Sequence, residues 1–176
     1  MALLPILQLP DPRLRQPALP VARVDSEVVR LMDDMLETMY KAPGIGLAAP
    51  QVGVLSRIIV VDVTDTEAGE PRSPLRMVNP EIIWTSGEVQ VCSEGCLSLP
   101  EQYADVERKA HIRVRYLDEH DETREIEVKG MLATVVQHEM DHLDGVLFVD
   151  HLSKVKRDIV LRKLQKSRKS KLWPRD

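Results

Sequence analysis

Residues 131–143 read MLATVVQHEMDHL, and their spacing predicts the helix around which the rest of the chain is organised. Leu132, Val135, Val136 and Met140 recur at helical intervals and form its apolar face. His138 and His142 stand four residues apart, about 400° of turn and about 6 Å of rise, so both imidazoles leave one side and can converge on one ion. Glu139 lies about 100° round from His138, outside that convergence yet within reach of a water on the ion. These residue types in this order point to metal-assisted hydrolysis, with Glu139 moving protons.

Two histidines leave a centre incomplete, because a catalytic zinc-type site has three protein ligands and one open position. Downstream candidates are Asp144, Asp150 and His151; upstream stands Cys96, in Glu94-Gly95-Cys96-Leu97-Ser98. Cys96 is preferred, since a thiolate is a strong ligand for a borderline-soft cation. A zinc peptidase would instead use one of the downstream groups. A closed structural site would add Cys92 to Cys96, but Cys92 and His138 are too far apart in sequence for a small zinc module. A chain of 176 residues with 43% apolar content needs no metal to hold its core.

Outward from the helix, Gly130 interrupts the pattern, and before it His111–Leu117 and Arg124–Val128 read as a hairpin turned by residues 118–122. Short strands are expected over Arg57–Val63, Met77–Val78, Ile82–Trp84 and Val89–Val91. Near the start, Asp25 or Ser26 caps a helix whose Val28, Leu31, Met32, Met35 and Met39 face the core until Pro43 and Gly44 stop it. Leu152, Val155, Ile159, Val160 and Leu164 predict a last helix. The fold class is α+β: one domain over residues 1–176, with an N-terminal helix, mixed or antiparallel sheets around the metal-binding helix, and a C-terminal helix.

The net charge of -4 is unevenly spread. Residues 153–176 form a basic tail with ten Lys or Arg against Asp158 and Asp176, leaving an acidic body. No apolar run is long enough to span a membrane, and the proline-rich opening is unlike a secretory signal. With only Cys92 and Cys96, no disulfide framework is expected, which suits a reducing cytoplasm.

Three stretches taken together, Gly44-Ile45-Gly46-Leu47-Ala48-Ala49-Pro50-Gln51, Glu94-Gly95-Cys96-Leu97-Ser98 and Gln137-His138-Glu139-Met140-Asp141-His142, resemble peptide deformylase, and the resemblance runs from Asp11 to Ser153. It implies removal of the formyl group from the N-terminal formylmethionine of nascent polypeptides. It also implies one divalent ion on Cys96, His138 and His142, usually Fe(2+), with Zn(2+), Ni(2+) or Co(2+) as alternatives. Glu139 would serve as base and then acid, and Gln51 and the Leu97 backbone N–H would stabilise the oxyanion. Gly44, Ile45 and Gly46, with Glu94 and Gly95, would form the substrate groove, the glycines through unusual dihedrals that admit the substrate backbone.

The methionine side chain is expected in a pocket of Ile45, Cys92, Met131, Val135 and the aliphatic part of His138. Positions 131, 135 and 138 share one helix face. Asp141 cannot face the ion with both histidines, and pairing with a base such as Arg108 would hold the helix. One departure is Tyr103, where many bacterial members carry an Arg that touches the substrate backbone. The basic tail would suit ribosomal RNA, as a C-terminal helix does in some relatives.

Overall fold

In the computed structural model, which describes residues 2–172, the expected first helix is capped as its sequence requires. Asp25 accepts hydrogen bonds from the backbone N–H groups of Glu27 and Val28 and starts α1 (Ser26–Lys41). The chain then forms β1 (Gly46–Ala48), a 3-10 turn over Ala49–Val52, and β2 (Ile58–Val61). β3 (Leu75–Thr85) is one bulged strand where two short ones were expected. The pairing shifts register around Asn79 (φ 50°) and Pro80, since proline has no N–H for the ladder and is tolerated at a bulge.

β4 (Val89–Cys96) and β5 (Leu99–Lys109) form a separate antiparallel hairpin. β6 (His111–Leu117) and β7 (Thr123–Lys129) are the hairpin expected from the alternation, and α2 (Gly130–Leu143) follows directly. Gly130 opens α2 at φ 62°, a left-handed conformation that glycine adopts at no steric cost. After a 3-10 turn over Phe148–His151, α3 (Lys154–Leu172) ends the described chain. The larger sheet has the order β1-β2-β3-β6-β7, and every pairing in it is antiparallel. No described helix is long and apolar enough to cross a membrane.

β2 shows how this sheet positions the centre. All four of its residues are buried, because Ile58 and Val60 join the cluster under α1 while Ile59 and Val61 join the one under α2. A strand covered on both faces reads as an unbroken apolar run. Met32, Met35 and Met39 are fully buried in the α1 layer, each contributing roughly 1.5–3 kcal/mol by its transfer from water. On the other face Ala133, Val136 and Leu143 seat α2 against the sheet. Its opposite side meets the β4–β5 hairpin, so α2 is enclosed by two sheets.

A third cluster, with Leu99, Val106, Phe148, Val160 and Leu164, packs α3 on β5. Here the expected apolar stripe needs correction. Val160 and Leu164 are buried, but Val155 and Ile159 lie outside the packed arc and are 70% and 46% exposed.

Candidate metal centre

Cys96 and Leu99 are paired at the tip of the β4–β5 hairpin, so Leu97 and Ser98 form its turn. The tip is held against the 3-10 turn that follows β1. The Gln51 amide donates to Ser98 Oγ at 3.1 Å and lies 3.5 Å from Cys96 Sγ, while its oxygen accepts from the Ala48 N–H at 2.9 Å. Gln51 and Ser98 are almost wholly buried. Helix α2 brings His138 and His142 to the same point, and the ligand atoms of Cys96, His138 and His142 lie within 4.8 Å of one another. His142 Nε2 is 3.3 Å from Cys96 Sγ. Among the described residues, this is the one such group of metal-ligating side chains.

The competing donors are engaged elsewhere. Asp144 pairs with Arg57 at 2.8 Å, Asp150 with Arg15 at 2.5 Å and His151 with Asp141 at 2.7 Å. Asp141 also accepts from Arg108 at 2.6 Å, the pairing expected from sequence.

The donor set and its surroundings fit a divalent cation. His138 hydrogen-bonds Glu94 through Nδ1 at 3.3 Å, which leaves Nε2 for the ion and is the usual outer support of a metal-bound imidazole. Burial alone would lower the His138 pKa, but hydrogen bonds to Cys96 and Glu94 outweigh it and favour positive charge at this point. Burial likewise would raise the Glu94 carboxyl, yet the bonds from His138 and Arg108 hold it at about 2. Burial and the neighbouring charge of His138 push His142 well below its ordinary value, so it stays a neutral donor. Glu139 is buried beside them; desolvation raises its carboxyl to about 7, and its Oε2 has no hydrogen-bond partner among the described residues. A carboxyl that changes protonation near neutrality is suited to proton transfer.

The group opens into a cleft of about 480 Å³. Gly44, Ile45 and Gly46 line one side, Gly95 and Tyr103 another, and Met131, Thr134 and Val135 a helical wall. Ile45 and Met131 are 45% and 53% exposed, leaving apolar surface for a ligand.

Several expectations change here. Cys92 does not line the cleft: it sits two residues before Glu94 on β4, further from the hairpin tip, with its Sγ accepting from Thr134 Oγ1 at 3.6 Å. Glu94 does line it, with both carboxylate oxygens taken by Arg108 and one also by His138, so its side chain supports the centre and any contact with a ligand in the cleft falls to its backbone. Gly44 and Gly46 have no positive φ; they are small because side chains of the centre press on them. A Cβ on Gly44 would come within 2.8 Å of Leu97 Cδ1, and one on Gly46 within 2.3 Å of Glu139 Oε1. Gly95 plays the same part for Tyr103, whose ring carbon would be 2.4 Å from a Cβ there. Ser98 and Gln137 stand in the sequence motifs without a role assigned to them, and Thr134 is not singled out by the sequence at all. Gln137 ties α2 to β5 by bonding both the N–H and the C=O of Lys109, a tertiary partner that no spacing announces.

Residues 3–158 match the family described as polypeptide deformylase. The peptide deformylase of Rhizobium meliloti is 52% identical over 171 residues, covering 97% of each chain. A crystal structure of peptide deformylase from Ehrlichia chaffeensis superposes with a TM-score of 0.92 at 38% identity, covering 98% of this chain and 100% of that one. A structure from the same organism in complex with actinonin gives 0.89 at 41% identity over 95% and 98% of the two chains. With a family match over most of its length and near-complete superposition, the chain belongs to the polypeptide deformylase family, hydrolases of the N-terminal formyl group.

Proposed function

We propose that this chain removes the formyl group from the N-terminal formylmethionine of nascent polypeptides, using one divalent ion, Fe(2+) in the native enzyme, held by Cys96, His138 and His142. The observation that carries this reading is the convergence of those three ligand atoms beside the buried carboxyl of Glu139 at the floor of a cleft. When bound, the ion would supply Lewis acidity, which lowers the pKa of water at the centre toward about 7.

The remaining work falls to the chain. Glu139 takes the proton from the attacking water and delivers it to the leaving amine, the two tasks needing one group poised near neutrality. The Gln51 amide, bonded to Ser98 in the hairpin turn, and the Leu97 backbone N–H of that turn would donate to the oxyanion that replaces the formyl oxygen. Loss of one such donor costs on the order of 3 kcal/mol of barrier. Ile45, Met131, Val135 and the face of His138 receive the methionine side chain. Gly44, Gly46 and Gly95 keep the groove walls close to its backbone, and the Tyr103 ring, 70% exposed over Gly95, takes the wall position in this chain.

A cytoplasmic enzyme of this kind meets its substrate at the ribosome. The buried Val160 and Leu164 anchor α3, while Lys156, Arg162, Lys163, Lys166, Arg168 and Lys169 remain exposed for phosphate-rich RNA.

The test is formate release from a formyl-Met peptide after anaerobic loading with Fe(2+) or with Zn(2+). Fe(2+) is expected to give the faster enzyme, and Glu139→Gln to keep one ion per chain while losing turnover by several orders of magnitude. No formate release with either ion would end the reading; turnover in Glu139→Gln would end the assignment of the proton carrier.

A further inference from the structure

The deepest ionic group beside the centre faces away from the cleft. Arg108, on β5, has only 5% of its side chain exposed, and its guanidinium bridges two elements. Nε and Nη2 fork onto the two Glu94 oxygens at 2.8 and 2.9 Å, while Nη1 donates to Asp141 Oδ2 at 2.6 Å. The same Oδ2 accepts from His151 Nε2 at 2.7 Å. Two donors on one oxygen must lie close together, which accounts for the 3.3 Å between Arg108 Nη1 and His151 Nε2 and assigns the Nε2–H tautomer.

The chain of contacts therefore runs from the surface to the metal ligand. His151 belongs to the 3-10 turn before α3 and has 36% of its side chain exposed, in a surface hollow of about 360 Å³ shared with Asp141 and Arg108. At the inner end Glu94 accepts from His138 Nδ1. A planar guanidinium fixes the plane of a carboxylate that it binds through two parallel bonds. That plane decides where the Glu94 lone pair points, and hence the rotation of the His138 ring. Rotation of the guanidinium is in turn stopped by its third nitrogen, on Asp141.

Resting on the metal-site reading above, we propose that Asp141 and His151 are positioning residues: by clamping the outer end of Arg108 they fix Glu94 as acceptor for the His138 N–H, and so set how tightly the centre holds its ion. Neither residue touches the ion's ligand atoms. Outer partners of metal-bound histidines typically matter by 10–100-fold in affinity. Asp141, one residue from the forked pair, is expected near the lower bound, and the more exposed His151 at a few-fold.

The experiment measures Zn(2+) affinity by competition with a chromophoric chelator, on the full chain and without reference to turnover. Wild type is expected to bind one equivalent and Cys96→Ser to lose it, which tests the metal site itself. Asp141→Asn is then expected to bind about tenfold more weakly, and His151→Ala a few-fold more weakly with little change in fold because the side chain is part-exposed. Arg57→Ala is the control: it removes the other ionic tie at the end of α2, to Asp144, and should lower thermal stability without moving the affinity. The Co(2+)-loaded proteins give a second reading, with altered ligand-field bands in Asp141→Asn and unaltered ones in Arg57→Ala. Wild-type affinity and spectra in both Asp141→Asn and His151→Ala would overturn the proposal. So would equal weakening in Arg57→Ala, since helix stability alone would then explain the effect.

Discussion

Replacing Gly46 by alanine should uncouple proton transfer from metal binding. The new methyl would stand 2.3 Å from Glu139 Oε1 and 2.8 Å from both Glu139 Cδ and Val135 Cγ1. Carbon and oxygen need about 3.2 Å, so something moves by roughly 1 Å. The β1 backbone is pinned by its register to β2 and Val135 is held in the sheet-facing core, whereas the carboxylate is the end of a jointed side chain. Glu139 therefore yields. A misplacement of about 1 Å costs on the order of 10²-fold, and complete loss of an acid–base group 10²–10⁴-fold, so kcat should fall by roughly 10²–10³. Overpacking should cost about 1–3 kcal/mol of stability. The assay is formate release under saturating formyl-Met peptide, with metal content and denaturant unfolding measured on the same samples. Because both changes remove one function, Gly46→Ala added to Glu139→Gln should slow the enzyme little further. A Gly46→Ala enzyme with kcat within a few-fold of wild type, or a double variant whose losses multiply, would refute the coupling.

Cys96→Ser should strip the ion and the activity, while Cys92→Ser, outside the cleft beside Thr134, should retain both; equal metal loss from the two would revive a four-ligand site. Gly145→Ala should lower unfolding free energy by about 2–5 kcal/mol, since its φ is 71° and a Cβ would meet the Arg15 carbonyl oxygen at 2.5 Å. Gly69→Ala, at φ 84° with nothing within 4 Å, should cost only about 1–2 kcal/mol, so similar losses would show that the contact with Arg15 contributes nothing. Burial and the bond to Asp62 raise the Tyr40 phenol from 10.0 to about 12, so its stabilising effect is full below pH 10 and is lost as pH rises toward 12. The stability advantage of wild type over Tyr40→Phe should shrink across that window in denaturant titrations, and a constant advantage would contradict the assignment. Replacing Lys163, Lys166, Arg168 and Lys169 by alanine should weaken salt-sensitive co-sedimentation with ribosomes and leave peptide cleavage intact; unchanged pelleting would reduce α3 to packing.

The parts of the molecule that were legible in the sequence are those whose side chains do one thing. α1 buries apolar residues at helical spacing, β2 is an unbroken apolar run, and the two histidines of α2 announce a ligand pair by spacing alone. The β4–β5 hairpin was barely legible, for a physical reason. In β4 the pattern is inverted: Val89 and Val91 are 49% and 62% exposed, while Gln90, Cys92 and Glu94 face inward. In β5 the buried positions include Gln102 and Arg108. Periodicity looks for apolar residues inside, and here much of the inside is polar because Gln90 and Cys92 bond Thr134 of α2 while Glu94 and Arg108 form the ion pair behind His138. A buried Arg108 is tolerable only when fully paired, so its cost is offset by Glu94 and Asp141 rather than by apolar contact. Local rules of strand composition thus fail where the hairpin serves the centre and hold where it does not, as in β6, whose Ile112, Val114 and Tyr116 alternate inward as expected. An inverted strand beside a well-formed HExxH helix is then itself a signal: its inward polar residues are the ones to test as supports of the ligands.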